Sequence, residues 1–229
     1  ALEEPQAAND PQLLGNALQM RSGAQTYANR AVAWGVDATG WSWSGQFGDF
    51  DNDGYLDLYV VNGMIDQAAF AALPNHELVE ENQAFHNQGG VRFAPAPEWN
   101  LASTRSGRGM VIADFDNDGD LDIVVNNLGS PAQLFENQLC RGASLEVDLH
   151  WPQSHNPHGI GTHLVLHTSA GIYYRDVRVA SGYLSSNPAR VHFGFPTGVQ
   201  PQQLDVHWPD GVVTRVAKPQ SNTLITVEH

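Results

Sequence analysis

Gln46-Phe-Gly-Asp-Phe-Asp-Asn-Asp-Gly-Tyr-Leu-Asp-Leu-Tyr-Val-Val-Asn62 decides the reading of this chain, because it occurs twice. The second copy is Val111-Ile-Ala-Asp-Phe-Asp-Asn-Asp-Gly-Asp-Leu-Asp-Ile-Val-Val-Asn-Asn127. Each holds the loop Asp-x-Asp-x-Asp-Gly-x-x-Asp followed by a short β-branched run. Calcium is a hard cation that takes six to eight oxygens. A chain curling around such an ion brings carboxylates at loop positions 1, 3 and 5 together. The expected ligands are Asp49, Asp51, Asp53 and Asp57 in one loop and Asp114, Asp116, Asp118 and Asp122 in the other. Position 7 offers a backbone carbonyl, from Tyr55 or Asp120. Gly54 and Gly119 at position 6 permit the sharp turn. Without a cation, carboxylates this close repel one another. The expectation is two Ca²⁺ ions, one per loop.

An EF-hand is the nearest rival. It needs a bidentate Glu at position 12 and flanking helices. Position 12 is Val60 or Val125, and both flanks read as strand. The bland alternative, solvated turns rich in Asp, Asn and Gly, is weakened by two near-identical copies in step.

A second signature precedes each loop. Asn16-Ala-Leu…Gly23…Tyr27 matches Asn82-Gln-Ala-Phe…Gly89…Phe93, 66 residues on, while the loops are 65 apart. A third partial copy, Gln133-Leu-Phe-Glu-Asn137, then breaks off. A period of this size marks a repeat array such as a propeller. Met64–Glu81 interrupts the first repeat. Its Ala-rich composition predicts an insertion with one short helix. From about Leu139 the texture changes. Leu145, Val147 and Leu149 alternate with polar residues, as do Leu204, Val206 and Trp208, with turns such as Pro209-Asp-Gly211 between the runs. That pattern predicts a compact all-β domain.

The first part, on Phe47-Gly-Asp-Phe-Asp-Asn-Asp-Gly-Tyr-Leu-Asp57 and Ala113–Asp122, resembles the FG-GAP (VCBS) repeats. These form blades of propellers of the integrin α-subunit type. The second part resembles the ASPIC/UnbV domain. Its carrying residues are Gly159-Ile-Gly161, Ser181-Gly-Tyr-Leu-Ser185, Val191-His-Phe-Gly194 and Val206-His-Trp-Pro-Asp-Gly211. The resemblance implies a calcium protein of secreted, periplasmic or cell-surface type, of a bacterial kind, and no defined reaction. The expected fold is all-β: partial propeller blades followed by a compact β-sandwich-like domain. The expected organisation is a polar segment 1–15, two repeats in 16–138 and the second domain in 139–229. Propellers take about four to eight blades, and two repeats supply two. The missing blades are expected from a longer polypeptide or from another protein chain.

Composition removes several classes. A net charge of −14 repels nucleic-acid phosphates. No apolar run is long enough to span a membrane. Cys140, the only cysteine, has no partner for an intramolecular disulfide. No Gly-x-Ser-x-Gly elbow, phosphate loop or dinucleotide fingerprint is present. His163 and His167 share a strand face and have the residue type of a zinc or copper site, yet no Cys or His-Glu-x-x-His partner accompanies them. They read as surface or strand histidines. Trp34, Trp41, Trp43 and Trp99 precede the loops and read as core, with sugar stacking the sharper alternative. Arg105 and Arg108 read as structural ion pairs.

Two functions of different class remain. One is a calcium-rigidified structural or interaction module that contacts a partner protein or a glycan, or forms part of a larger assembly. The other is a calcium-dependent enzyme of isomerase, cyclase or lyase type, with a pocket at the propeller or the domain junction. A buried polar pocket with a perturbed acid or base favours the enzyme. An exposed apolar patch at Met64–Leu78 favours the partner.

Overall fold

Leu58-Tyr-Val-Val61 and Ile123-Val-Val125 form the strands that their β-branched composition predicts. A computed structural model of the protein describes residues 15–64, 79–139 and 141–229. The structure is almost wholly β, and the described residues form mainly antiparallel sheets with no closed barrel. The predicted helix of the insertion Met64–Glu81 falls largely on residues 65–78, outside the described residues. No helix among the described residues is long and apolar enough to cross a membrane.

The chain divides into two compact units between Thr39 and Gly40. In the smaller unit, β1 (Gln19–Arg21) and β2 (Tyr27–Asn29) form a hairpin. A one-turn helix, α1 (Ala31–Trp34), follows and ends at Gly35 in the left-handed region. Asn29 caps this corner, since its Oδ1 accepts the N–H groups of Leu18 and Ala31.

The larger unit opens with two small sheets. The first has the order β3 (Ser42–Gly48), β4 (Asp57–Asn62), β5 (Gln83–Asn87), β6 (Phe93–Pro95). The second has β7 (Gly107–Ala113), β8 (Asp122–Asn127) and β9 (Gln133–Phe135). Each sheet therefore straddles the sequence period. Its first two strands are the hairpin around an Asp-rich loop, and its outer strands come from the segment that opens the next copy. The partial copy at Gln133–Asn137 is thus the outer strand of the second sheet. The two sheets share one core, built from Tyr59, Val61, Met110, Ile112, Ile123 and Val125 with Phe50, Trp99 and Leu121. All six residues of β4 are buried, as expected for a strand covered on both faces. Both hairpins carry a bulge at the same place, between Ser42 and Ser44 and between Gly107 and Met110.

The rest of the unit is a sandwich. One sheet has the order β13–β10–β16: β13 is Val191–Pro196, β10 Gly142–His150 and β16 Thr223–Glu228. The other is β12–β11–β14–β15: β12 Ile172–Asp176, β11 His163–Thr168, β14 Pro201–His207 and β15 Val213–Ala217. Leu145, Val147, Phe193 and Phe195 from the first sheet meet Leu164, Leu166, Leu204 and Val206 from the second, and all are fully buried. Each such side chain contributes roughly 1.5–3 kcal/mol through its removal from water. β10 and β16 run parallel, the one parallel pairing among the described strands.

Candidate metal centres

Each Asp-rich loop joins the two strands of its hairpin, and the two share the same backbone bonds to the carboxylates at positions 1, 5 and 9. Position 1 is the hub. Asp49 is 0% exposed and its carboxylate accepts the N–H groups of Asp53 and Gly54, both at 3.0 Å. Asp114 accepts those of Asp118 at 3.2 Å and Gly119 at 2.9 Å. Position 5 holds the next turn, with Tyr55 N–H donating to Asp53 at 2.8 Å and Asp120 N–H to Asp118 at 3.1 Å. Position 9 closes the loop, because Asp57 and Asp122 accept the N–H groups of Phe50 and Phe115, each at 3.0 Å. The curl requires positive φ at Asn52 (54°), Gly54 (96°), Asn117 (63°) and Gly119 (95°). Asn and Gly are the residues that enter that region most readily.

The curl gathers the carboxylates. Oxygens of Asp49, Asp51 and Asp53 lie within 4.8 Å of one another, and so do those of Asp114, Asp116 and Asp122. Asp118 and Asp120 stand outside that second triple. Asp120 is buried, with Oδ1 lacking a hydrogen-bond partner. Tyr55 is 44% exposed on the outside of its loop. A further group joins Asp51, Asp57 and His86. His86, on β5, places Nε2 3.4 Å from Asp51 and 3.6 Å from Asp53. The sequence reading omitted it. The signal was that β5 belongs to the sheet of the preceding loop, so the residue before Asn87 lies beside that loop.

These residues fit a divalent cation. Asp51 Oδ1 is buried without a partner, and a buried acceptor without a donor requires an explanation. Burial pushes Asp49 up to about 7, against the pull of the Arg175 charge, and Asp57 up to about 8. Asp51 and Asp122 are also raised, burial again leading. Carboxylates that resist ionisation in place are stabilised as anions by a cation among them.

The sandwich rests directly on both loops. A Cβ on Gly194 would collide with Asn52 Oδ1 and Asp49 Oδ2, and one on Gly142 with the Asn52 carbonyl. His192 Nε2–H donates to the Gly119 carbonyl at 3.2 Å. Burial holds His192 down to about 4, so it stays neutral. Arg190 reaches Asn117 Oδ1 at 3.2 Å while pairing with Glu146 at 3.4 Å and Asp148 at 3.2 Å. Asn52 also donates to the Gly119 carbonyl at 3.3 Å, tying loop to loop. Ser181–Ser185 meets the hairpin strands. Tyr183 N–H donates to Ser44 Oγ, and the Tyr183 ring is edge-on to Trp43 at 5.0 Å. Arg108 stacks over that same Trp43 at 4.1 Å and donates to the carbonyls of Gly63, Met64 and Gly107. Arg105 donates to the Pro131 carbonyl. Trp99 is core, edge-on to Phe50 at 6.2 Å, whereas Trp41 is half exposed. His163 pairs with Asp176 at 2.7 Å and His167 with Asp205 at 3.3 Å. A groove of about 740 Å³ borders the second loop, with Asp114, Glu146, Asp148, His158, Arg190 and His192 on its walls.

Residues 69–125 match the family model of the FG-GAP-like repeat, and residues 146–229 match that of ASPIC and UnbV. The chain therefore contains an FG-GAP-like repeat and an ASPIC/UnbV domain. It is similar to cartilage acidic protein 1 of Homo sapiens, 27% identical over 187 residues, which is 78% of this chain and 27% of that protein. Cartilage acidic protein 1 of Mus musculus is 28% identical over the same length and shares. The chain thus spans about a quarter of the length of these relatives.

Proposed function

We propose that the protein is an extracytoplasmic calcium-binding interaction module. In this reading one Ca²⁺ is held by Asp49, Asp51, Asp53, Asp57 and the Tyr55 carbonyl, with His86 at the rim. A second is held by Asp114, Asp116, Asp118, Asp122 and the Asp120 carbonyl. Bound calcium neutralises the crowded carboxylates and so rigidifies the loops on which the sandwich sits. Residues 16–138 act as propeller blades and 139–229 as the domain they carry. The composite surface contacts a partner protein or a glycan, with the remaining blades supplied by a longer polypeptide or another chain. The observation that carries this reading is the buried, donorless Oδ1 of Asp51 within a cluster of three carboxylates. Titration calorimetry with elemental analysis tests it. Two calcium ions per chain are expected, and one each in Asp51→Asn and Asp116→Asn. A chain that takes up no calcium at millimolar concentration overturns it.

The groove beside Asp114 favours a second reading, a calcium-dependent enzyme. Glu146 on its wall is pushed up to about 7, chiefly by burial and then by Asp114, which suits a general acid or base at neutral pH. A small-molecule screen against Glu146→Gln separates the readings. Turnover lost in that variant favours the enzyme, and absence of any turnover favours the module.

A further inference from the structure

We propose that the first Asp-rich loop is a mixed nitrogen–oxygen site, in which His86, Asp51 and Asp57 hold a divalent ion of the zinc type in competition with calcium, while the second loop is an all-oxygen calcium site. This deepens the proposed function, because it rests on the loops being cation sites and assigns the two of them different ions.

The first ground is convergence. Donor atoms of Asp51, Asp57 and His86 lie within 4.8 Å of one another. His86 Nε2 stands 3.4 Å from Asp51 Oδ2 and 3.6 Å from Asp53 Oδ2. Those separations are long for a hydrogen bond, and the buried Nε2 makes none. They suit two donors on one ion, since ligands bound at about 2.0–2.1 Å lie roughly 3.3–3.4 Å apart around a tetrahedral centre. Asp51, 4% exposed, brings a second orphan, because its Oδ1 is buried without a hydrogen-bond partner. One nitrogen and one oxygen in neighbouring side chains both lack a partner, and a shared ion satisfies both at once.

The second ground is placement. Asn87 N–H donates to Asp57 Oδ1 at 2.8 Å, and Asn87 Nδ2 to the Leu56 carbonyl at 2.9 Å. These bonds pin the end of β5 to the loop. His86 is the residue immediately before, and its ring lies against that of Trp99, centroids 5.6 Å apart. The imidazole is therefore in position before any ion arrives.

Donor chemistry gives the third ground. Calcium takes oxygen ligands, so a nitrogen aimed at a carboxylate cluster adds little for it. Imidazole combined with carboxylate suits zinc and its first-row neighbours. The second loop lacks such a donor. Its group is Asp114, Asp116 and Asp122, all oxygen. Asn137 takes the place of Asn87 there, and the residue before it is Glu136, which is exposed and outside that group.

A protonated His86 paired with Asp51 is the simpler account. It leaves Asp51 Oδ1 without a partner, and it lacks the short charge-assisted bond of about 2.7–2.9 Å that such a pair forms. Arg141 Nη1 stands 3.8 Å from Asp51 Oδ2, but its side chain is 57% exposed and free to turn outward as an ion enters.

Calorimetric titration of the full chain with zinc chloride, with and without calcium, tests the proposal, and cobalt(II) serves as a spectroscopic probe. Zinc is expected to displace one of two calcium ions, and cobalt to develop the visible absorption of a nitrogen–oxygen site. His86→Gln should weaken zinc there by about tenfold or more and leave calcium uptake at both loops unchanged, which also shows that the variant is folded. Asp116→Asn should remove the second calcium and leave zinc untouched. Zinc that binds His86→Gln equally well, or that displaces calcium from both loops alike, overturns the proposal. If calcium fills both loops and zinc enters neither, the calcium reading stands and this inference falls. If zinc enters through His86 in a chain that takes up no calcium, the calcium reading falls and this inference stands.

Discussion

Asn87 N–H donates to Oδ1 of Asp57 at 2.8 Å, so the last carboxylate of the first loop is held by a strand from the following repeat. Asn137 and Asp122 make the same bond at the same distance. The loops are thus fastened from both sides: by their own turn, and by the neighbour's strand. Loop occupancy and sheet integrity should respond together, and several measurements follow from this.

Chelation should lower the thermal stability of the whole larger unit, since loops and sandwich share contacts. Binding to the folded state alone contributes about 2.7 kcal/mol per site when free calcium is 100-fold above Kd. Differential scanning calorimetry with calcium and with chelator checks this. We also expect chelation to speed exchange at the Ile112 N–H, which donates to Asn187 Oδ1 across the junction.

Gly194→Ala should cost about 1–3 kcal/mol, the usual effect of overpacking. Its Cβ would press into Asp49 and Asn52, so calcium affinity at the first loop should fall as well. Gly171→Ala meets nothing within 4 Å and serves as the neutral control. Denaturant unfolding and calorimetry read both effects.

His192 sets a pH dependence. Burial lowers its folded pKa to about 4 from 6.5. Between these values the unfolded chain binds the proton and the folded chain does not. Stability is therefore retained above about pH 6.5 and lost progressively as pH falls towards 4, by a total on the order of 3 kcal/mol. His192→Gln should flatten this part of the profile. Urea midpoints from pH 4 to pH 7 at saturating calcium provide the comparison.

Arg190 joins Asn117 to Glu146 and Asp148. Arg190→Ala leaves the buried Glu146 carboxyl without its cation, which should destabilise by about 1–3 kcal/mol. The Glu146→Gln, Arg190→Ala double variant should recover much of that loss. Additive losses in the double-mutant cycle would show that the pair does not interact.

Much of this architecture was legible in local patterns. The Asp spacing and the β-branched runs after it located both loops and their strands, because each depends on residues close in sequence. The alternation of Leu145, Val147 and Leu149 marked a sandwich strand for the same reason. What stayed hidden depends on distant pairings. The parallel contact of β10 with β16 joins residues almost 80 apart, and no local period encodes it. The bulges at Ser44 and Met110 change register without a Gly-Asn signal. His86 looked like one more strand residue, because its neighbour Asp51 belongs to the preceding repeat. The role of His192 and Gly194 was hidden too. The motif was visible, but its surface against Asn52 and Gly119 exists only once two separate cores have formed.

The offset between sheet and sequence period bears on how such an array changes length. Each sheet takes its outer strand from the next copy, so the duplicated stretch is not itself a folding unit. Insertion of one more copy gives the sheet at the junction a new supplier of its outer strands and leaves the surroundings of each strand as they were. Loss of a copy is equally silent at the junction, because the following copy presents the same Asn N–H to the same Asp. Arrays built this way can gain or lose members by genetic duplication without any joint being redesigned.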